Sequence, residues 1–260
     1  MKIYCLQHLK NETLGNIGTW ITRKKYRLTK TLLNEENCFE EPLFPDPEEF
    51  DLLLIMGGTM SVYQEREYPW LKPEKKFVKK AIESGKPILG SCFGGQVIAE
   101  VLGGKVTKNR YKEIGWHNVR ATSGKFPGES RKKVTAKIPF NEEINSGLPA
   151  GLPLEFTAFM WHGDTFEIPT GAARLFESEA CQNQGFLYKD NVLGLQFHPE
   201  ADRTWVEQLI NDSGHELVPD KYIQSEEEIC RLKSPFEESK KLAFSLMEWF
   251  ERDWTDKMKK

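Results

Sequence analysis

Two hydrophobic periods alternate through the first half of the chain. Lys2–Gln7 reads as a first strand and Gly15–Lys25 as a helical stretch. Asp51–Met56 is an uninterrupted apolar run ending at Gly57-Gly58, as expected of a central strand covered on both faces. Trp70, Phe77, Val78, Ala81 and Ile82 then recur at helical spacing, with Pro73 suited to a first turn and Gly85 to a stop. Pro87–Gly90 is a short strand that runs directly into Ser91-Cys92-Phe93-Gly94-Gly95. A second helix follows, with Val97, Ile98, Val101 and Leu102 as its apolar stripe and Gly103-Gly104 as its end. Strands alternating with helices predict a parallel sheet wrapped by helices.

From Lys105 to Glu200 the pattern shifts to shorter, β-rich pieces, best seen at Val119–Ala121, Phe156–Trp161 and Val192–Phe197. Ser123–Lys133, polar and glycine-containing, reads as an exposed loop. Beyond Glu200, Thr204/Glu207, Ser225/Glu228 and Ser234/Glu237 have capping-box spacing. The last opens an amphipathic helix with Leu242, Ala243, Leu246, Trp249 and Phe250 on one face. The expected organisation is one domain over residues 1–210 and a helical extension over 211–260 packed on it.

Composition narrows the function classes. Hydrophobic content of 39% with 29% charged residues excludes an intrinsically disordered chain. Lys+Arg 36 against Asp+Glu 39 leaves a formal charge of -3, which gives no basic surplus for nucleic acid. The five lysines of Lys72–Lys80 lie opposite the apolar stripe and read as a solvated helix face. The longest strongly apolar run, Leu52–Met56, falls far short of the ~20 residues of a membrane span. Cysteines at 5, 38, 92, 181 and 230 are odd in number and lack CxxC spacing, as expected of reduced thiols in a cytoplasmic chain.

One of those cysteines has a special setting. Gly90-Ser91-Cys92-Phe93-Gly94 places a thiol at the centre of a G-x-C-x-G turn between a strand and a helix, the arrangement of a nucleophile elbow. The helix N-terminus favours the thiolate, and its N–H groups can receive an oxyanion. A thiol acting on an amide needs a general base that later protonates the departing amine. Gln196-Phe197-His198-Pro199-Glu200, after an apolar strand, supplies a histidine with a carboxylate two residues away to orient it. Met56-Gly57-Gly58-Thr59 ends another strand, and its glycines allow a substrate to approach the backbone. His162 and Asp164 lie two apart but have no further ligands at metal spacing, so they read as pocket-lining residues. His8 reads as a polar strand end.

Gly-Gly after an early strand, then Gly90-Ser91-Cys92-Phe93-Gly94-Gly95-Gln96, then His198-Pro199-Glu200, resembles the class I glutamine amidotransferases over roughly Met1–Glu207. Leu6-Gln7-His8, Glu65-x-x-Tyr68-Pro69-Trp70-Leu71, Glu113-Ile114-Gly115-Trp116 and Trp161-His162-Gly163-Asp164 look most like stand-alone proteins related to the amidotransferase domain of GMP synthase. The resemblance implies a flavodoxin-like three-layer α/β/α sandwich with a mostly parallel central sheet, and a site at the carboxyl ends of its strands. It implies that Cys92 attacks the side-chain amide of glutamine to form a γ-glutamyl thioester, with His198 as base and acid and Glu200 as orienting carboxylate. It further implies oxyanion donors at the backbone of Gly58 and Phe93, and substrate binding by Gly57 and Gln96, with neither cofactor nor metal. No ATP-pyrophosphatase or phosphate loop is present, so an ammonia acceptor is expected on a separate synthetase subunit. A γ-glutamyl hydrolase acting on larger γ-glutamyl compounds is the alternative, and a non-catalytic regulatory subunit a third.

Overall fold

All four residues of Leu52–Ile55 are buried, and they divide by alternation: Leu52 and Leu54 face one apolar core, Leu53 and Ile55 another. That period-two division repeats along neighbouring strands and sets the architecture. The computed structural model describes residues 1–33, 42–122 and 152–258. The loop expected at Ser123–Lys133 and Cys38 lie outside these residues.

The strands are β1 (Lys2–Gln7), β2 (Arg27–Leu32), β3 (Leu52–Ile55), β4 (Ile88–Ser91), β5 (Val106–Ala121), β6 (Glu155–Phe166), β7 (Ala172–Glu177), β8 (Gly185–Tyr188) and β9 (Val192–Leu195). Among the described residues they form one sheet in the order β2-β1-β3-β4-β9-β8-β7-β5-β6. The half from β2 to β9 is parallel, and β9-β8-β7-β5-β6 is antiparallel. The helices are α1 (Gly15–Lys24), α2 (Leu71–Glu83), α3 (Phe93–Val101), α4 (Arg203–Ser213), α5 (Glu226–Arg231) and α6 (Ser234–Met258).

On one face of the parallel half, Ile17, Trp20 and Ile21 of α1 share a core with Leu242, Ala243, Leu246, Met247 and Phe250 of α6. On the other, Phe77, Val78, Ala81 and Ile82 of α2 meet Val97, Ile98 and Ala99 of α3. The result is a flavodoxin-like three-layer α/β/α sandwich. A third, smaller cluster joins α4 and α5 to Ile114, Trp116 and Phe159 of the β5–β6 ribbon.

Several elements differ in detail from the sequence reading. β2 is an edge strand whose first four residues are exposed, so it lacks the apolar run that marks its neighbours. The α4 cap is Asp202, whose Oδ1 accepts from the Trp205 N–H at 2.8 Å, rather than Thr204. Ser225 and Glu228 do form the reciprocal capping box, whereas Ser234 lies within the first turn of α6. Lys75 is not a solvated member of its helix face: it donates to the Val62 carbonyl at 2.8 Å and pairs with Glu65 at 2.8 Å and Glu100 at 2.6 Å. It thereby ties the segment before α2 to α3.

His8, just beyond β1, is buried against Trp70 and Phe93. Its Nε2 donates to Glu74 Oε1 of α2 at 2.8 Å, and its Nδ1 to the Gly57 carbonyl at 2.9 Å. Both partners are acceptors, so both bonds exist together only when the ring is protonated. Burial opposes that charge, but the Glu74 carboxylate outweighs it and raises the His8 pKa. A charged pair thus clamps the loop that follows β3.

Two outcomes test this arrangement. Leu246→Ala should lower the free energy of urea unfolding by about 2–5 kcal/mol within a single cooperative transition, because Leu246 is buried in the α1–α6 core. For His8, the raised folded-state pKa means that its contribution is complete below about pH 6.5 and lost as pH rises through the folded value. The stability difference between wild type and Glu74→Gln should therefore be largest near pH 5.5–6 and shrink on the alkaline side, measured by urea unfolding across that range.

Candidate active site

Cys92 occupies the single-residue junction between β4 and α3, with φ 50° and ψ -107°. A side-chain-bearing residue held there stores about 1–3 kcal/mol of strain. Both of its backbone groups are tied down: its N–H donates to the Leu195 carbonyl at 2.9 Å, and its carbonyl accepts from Gln96 N–H at 3.1 Å. The flanking glycines are required by close approach. A β-carbon at Gly94 would stand 2.0 Å from the Ile55 carbonyl oxygen, and one at Gly90 would stand 2.6 Å from the Gly94 carbonyl. The G-x-C-x-G spacing therefore records how tightly the turn is pressed against β3 and against itself.

His198 follows β9 and is anchored by its N–H to the Phe159 carbonyl of β6 at 2.9 Å. The residue is 3% exposed, and its ring packs against Trp205. Nδ1 donates to Glu200 Oε1 at 2.8 Å, and the ring lies close enough to Cys92 to feel its charge, while the Cys92 thiol itself donates to the Trp161 carbonyl at 3.8 Å. Burial opposes the imidazolium, yet negative charge at Cys92 and Glu200 prevails and raises the His198 pKa well above the ordinary histidine value. Glu200 is fully buried, and its second carboxylate oxygen accepts from Ser91 Oγ at 2.7 Å. The sequence-identified Cys92, His198 and Glu200 are thus brought together, with His198 hydrogen-bonded to Glu200 and beside Cys92. Such a grouping can generate a thiolate, keep a proton ready for a leaving amine, and hold the imidazole in one orientation.

The thiol borders a cavity of about 170 Å³ whose lining includes Gly58, Phe93, Gln96, Trp161, His162 and Asp164. Gln96 donates to Gln196 Oε1 at 3.2 Å, and Gln196 Nε2 in turn donates to Cys92 Sγ at 3.6 Å. Gly57 lies behind this surface, where a β-carbon would meet His198 Cε1 and Glu12 Oε2, each at 3.0 Å. His162 Nε2 stands 3.2 Å from Glu113 Oε2, and its Nδ1 donates to the Asp164 carbonyl at 3.0 Å. Burial works against ionised Asp164, but Lys108, Ser61 and Tyr63 all donate to it and keep its carboxyl below the usual range. Among the described residues, no group of three or more His, Cys, Asp or Glu side chains could hold a metal ion.

Ser91, Gln196 and Glu12 belong to this neighbourhood without having been singled out as candidates. Two of them had a signal. Ser91 immediately precedes Cys92, and Gln196 stands two residues before His198 in the same short motif. Glu12 had none, because its proximity to His198 arises from how the segment after β1 folds across the loop after β3.

Similarity to known proteins follows the same outline. The chain is 28% identical over 221 residues to YfeJ of Salmonella typhimurium, a protein named as glutamine amidotransferase-like, covering 84% of this chain and 83% of that one. It is 33% identical over 154 residues to the glutamine-hydrolysing GMP synthase of Caldicellulosiruptor saccharolyticus, covering 58% of this chain and a quarter (25%) of the synthase. The crystal structure of a glutamine amidotransferase from Thermotoga maritima superposes with a TM-score of 0.77 at 29% identity, covering 96% of this chain and 97% of the other. Residues 21–215 match the family model for glutamine amidotransferase class-I, and this chain belongs to that family.

Proposed function

We propose that the protein hydrolyses the γ-amide of glutamine, releasing ammonia through a γ-glutamyl thioester on Cys92. The observation that carries this reading is the grouping of Cys92 with His198, itself hydrogen-bonded to Glu200, at the edge of a cavity that Gln96 also lines. The Cys92 sulfur bonds to the γ-carbonyl carbon, and the carbonyl oxygen becomes an oxyanion facing the backbone N–H groups of Gly58 and Phe93. Gly58 and Phe93 both line the cavity that Cys92 borders, and donors in such a position act where charge develops. As the intermediate collapses, the carbon–nitrogen bond breaks and the His198 proton passes to the departing nitrogen. Water then attacks the thioester with His198 as base, which returns Cys92 and releases glutamate.

Ser91 has a supporting part in this scheme. Its hydroxyl gives Glu200 a second hydrogen bond at 2.7 Å, fixing the carboxylate so that its other oxygen faces His198. His162 and Asp164 shape part of the wall of the cavity that Cys92 borders, and Gln96 orients the amino-acid end of the substrate. Ammonia released here serves a synthetase on a partner subunit, in keeping with the similarity to one part of GMP synthases.

A second reading, hydrolysis of larger γ-glutamyl compounds, has its own support. An adjoining cavity of about 270 Å³ shares Glu12, Thr59, Leu209 and Ser213 with the one at Cys92, giving room for a leaving group larger than ammonia. The chemistry at sulfur is the same in both cases.

Purified protein incubated with glutamine and with γ-glutamyl amides should release ammonia or amine, and a glutamine-analogue electrophile should label Cys92. Cys92→Ala should abolish labelling and lower turnover by at least about a thousandfold. Absence of both turnover and labelling in the wild type, or full turnover by Cys92→Ala, would contradict the proposal.

A further inference from the structure

Glu12 stands in the short segment between β1 and α1, and the scheme above gives its carboxylate no task. The residue is 9% exposed, and its Oε2 has no hydrogen-bond partner. A buried acceptor left without a donor costs about 1–3 kcal/mol or more, so the fold maintains an acceptor waiting for one. Gly57 lets it sit close to the candidate catalytic side chains. The position of a β-carbon at Gly57 lies 3.0 Å from Glu12 Oε2 and 3.0 Å from His198 Cε1, so both atoms stand against the same glycine.

Glu12 also stands between two cavities. It lines the one containing Cys92 and the adjoining one of about 270 Å³. The second is lined by two carboxyl groups, Glu12 and Asp212, and one lysine. Asp212 lines it, and donors from Asn11, Gln208 and Asn211 hold the Asp212 carboxyl below its usual range. Lys10 is the cation among its lining residues. Burial pushes the Glu12 carboxyl up to about 7; charge on His198 and His8 opposes this, while Glu200 and Asp212 add to it. A cation beside it would draw it to the ionised form.

We infer that Glu12 receives the leaving amine and that the cavity beyond it is a leaving-group subsite, selecting γ-glutamyl compounds whose amine part carries a second, positively charged amino group. This rests on the second reading above, hydrolysis of larger γ-glutamyl compounds through the Cys92 thioester, and names a substrate class for it. Cys92 sulfur bonds to the γ-carbonyl carbon, the carbon–nitrogen bond breaks, and His198 gives its proton to the departing nitrogen. The freed amine then points its N–H groups at Glu12 Oε2, with its distal ammonium toward Asp212. Water cleaves the carbon–sulfur bond, so the sum is γ-glutamyl diamine plus water giving glutamate plus diamine.

The test uses the full chain and three γ-glutamyl derivatives of equal backbone length, those of diaminobutane, butylamine and aminobutyrate, together with glutamine. They differ at the far end of the leaving group, which is cationic, neutral or anionic. Wild-type kcat/KM should be about tenfold or more higher for the diaminobutane derivative than for the aminobutyrate one. Glu12→Gln should remove most of that ratio, chiefly by raising KM for the diaminobutane derivative. Asp212→Asn, at an exposed side chain whose loss leaves the core untouched, should reduce the ratio by about threefold. Equal or better turnover of the aminobutyrate derivative would overturn the subsite, as would turnover of glutamine and none of the three derivatives, or a ratio unchanged in both variants. Each of those results leaves the thioester reading standing. No turnover of any compound with Cys92 unlabelled would overturn both.

Discussion

The strained backbone of Cys92 is the constraint on which the rest of the site depends. At φ 50° and ψ -107° the residue turns the chain from β4 into α3 without a spacer, which delivers its side chain to the carboxyl edge of the sheet. The turn persists because its surroundings over-determine it. β9 holds the Cys92 N–H, α3 holds its carbonyl, and two glycines allow contacts with β3 and with the turn itself that any β-carbon would forbid. β9 in turn leads directly to His198 and Glu200, so the strand that pins the candidate nucleophile also carries its candidate base.

Charge is distributed around this turn in buried pairs. His198 is set against Cys92 and Glu200, and His8 against Glu74. His162 is set against Glu113. Burying such groups is costly unless each finds a partner with good geometry, and here the partners come from different elements, so the pairs also fix how those elements meet. His8 holds the loop after β1 to the loop after β3, while Ser91 and Glu200 join the strand before the elbow to the segment after β9. Glu12 belongs to none of these pairs, and its buried Oε2, like Oε2 of Glu74, has no hydrogen-bond partner. In the proposed scheme, where the neighbouring centre releases an amine, such an open acceptor has a chemical use.

How much of this could be read in the sequence depended on whether a contact was local. The covered strand Leu52–Ile55 announced itself as an unbroken apolar run, and the elbow as two glycines around a cysteine. Both signals arise because the constraint and the residues that satisfy it are adjacent. The edge strand β2 was not legible: its side chains face water, so no apolar period marks it. β7 and β8 were equally hidden, being short pieces of an antiparallel meander whose pairing is fixed by partners elsewhere. At the site, His198 and Glu200 were legible as a three-residue motif. The bond from Ser91 to Glu200 spans 109 residues, and the placement of Glu12 depends on the packing of two loops, so neither leaves a local pattern. His8 shows the same limit, since a histidine at a strand end gains its meaning from Glu74 on a helix 66 residues away.

The central claim is that Cys92 carries the γ-glutamyl group between two steps. Rapid acid quenching during turnover of a γ-glutamyl substrate, followed by intact-mass and peptide mass spectrometry, tests it directly. The account predicts a transient adduct of one γ-glutamyl group, mapped to the peptide containing Cys92, that forms and decays at rates consistent with turnover. Steady release of amine with the Cys92 peptide unmodified at every time point would contradict it.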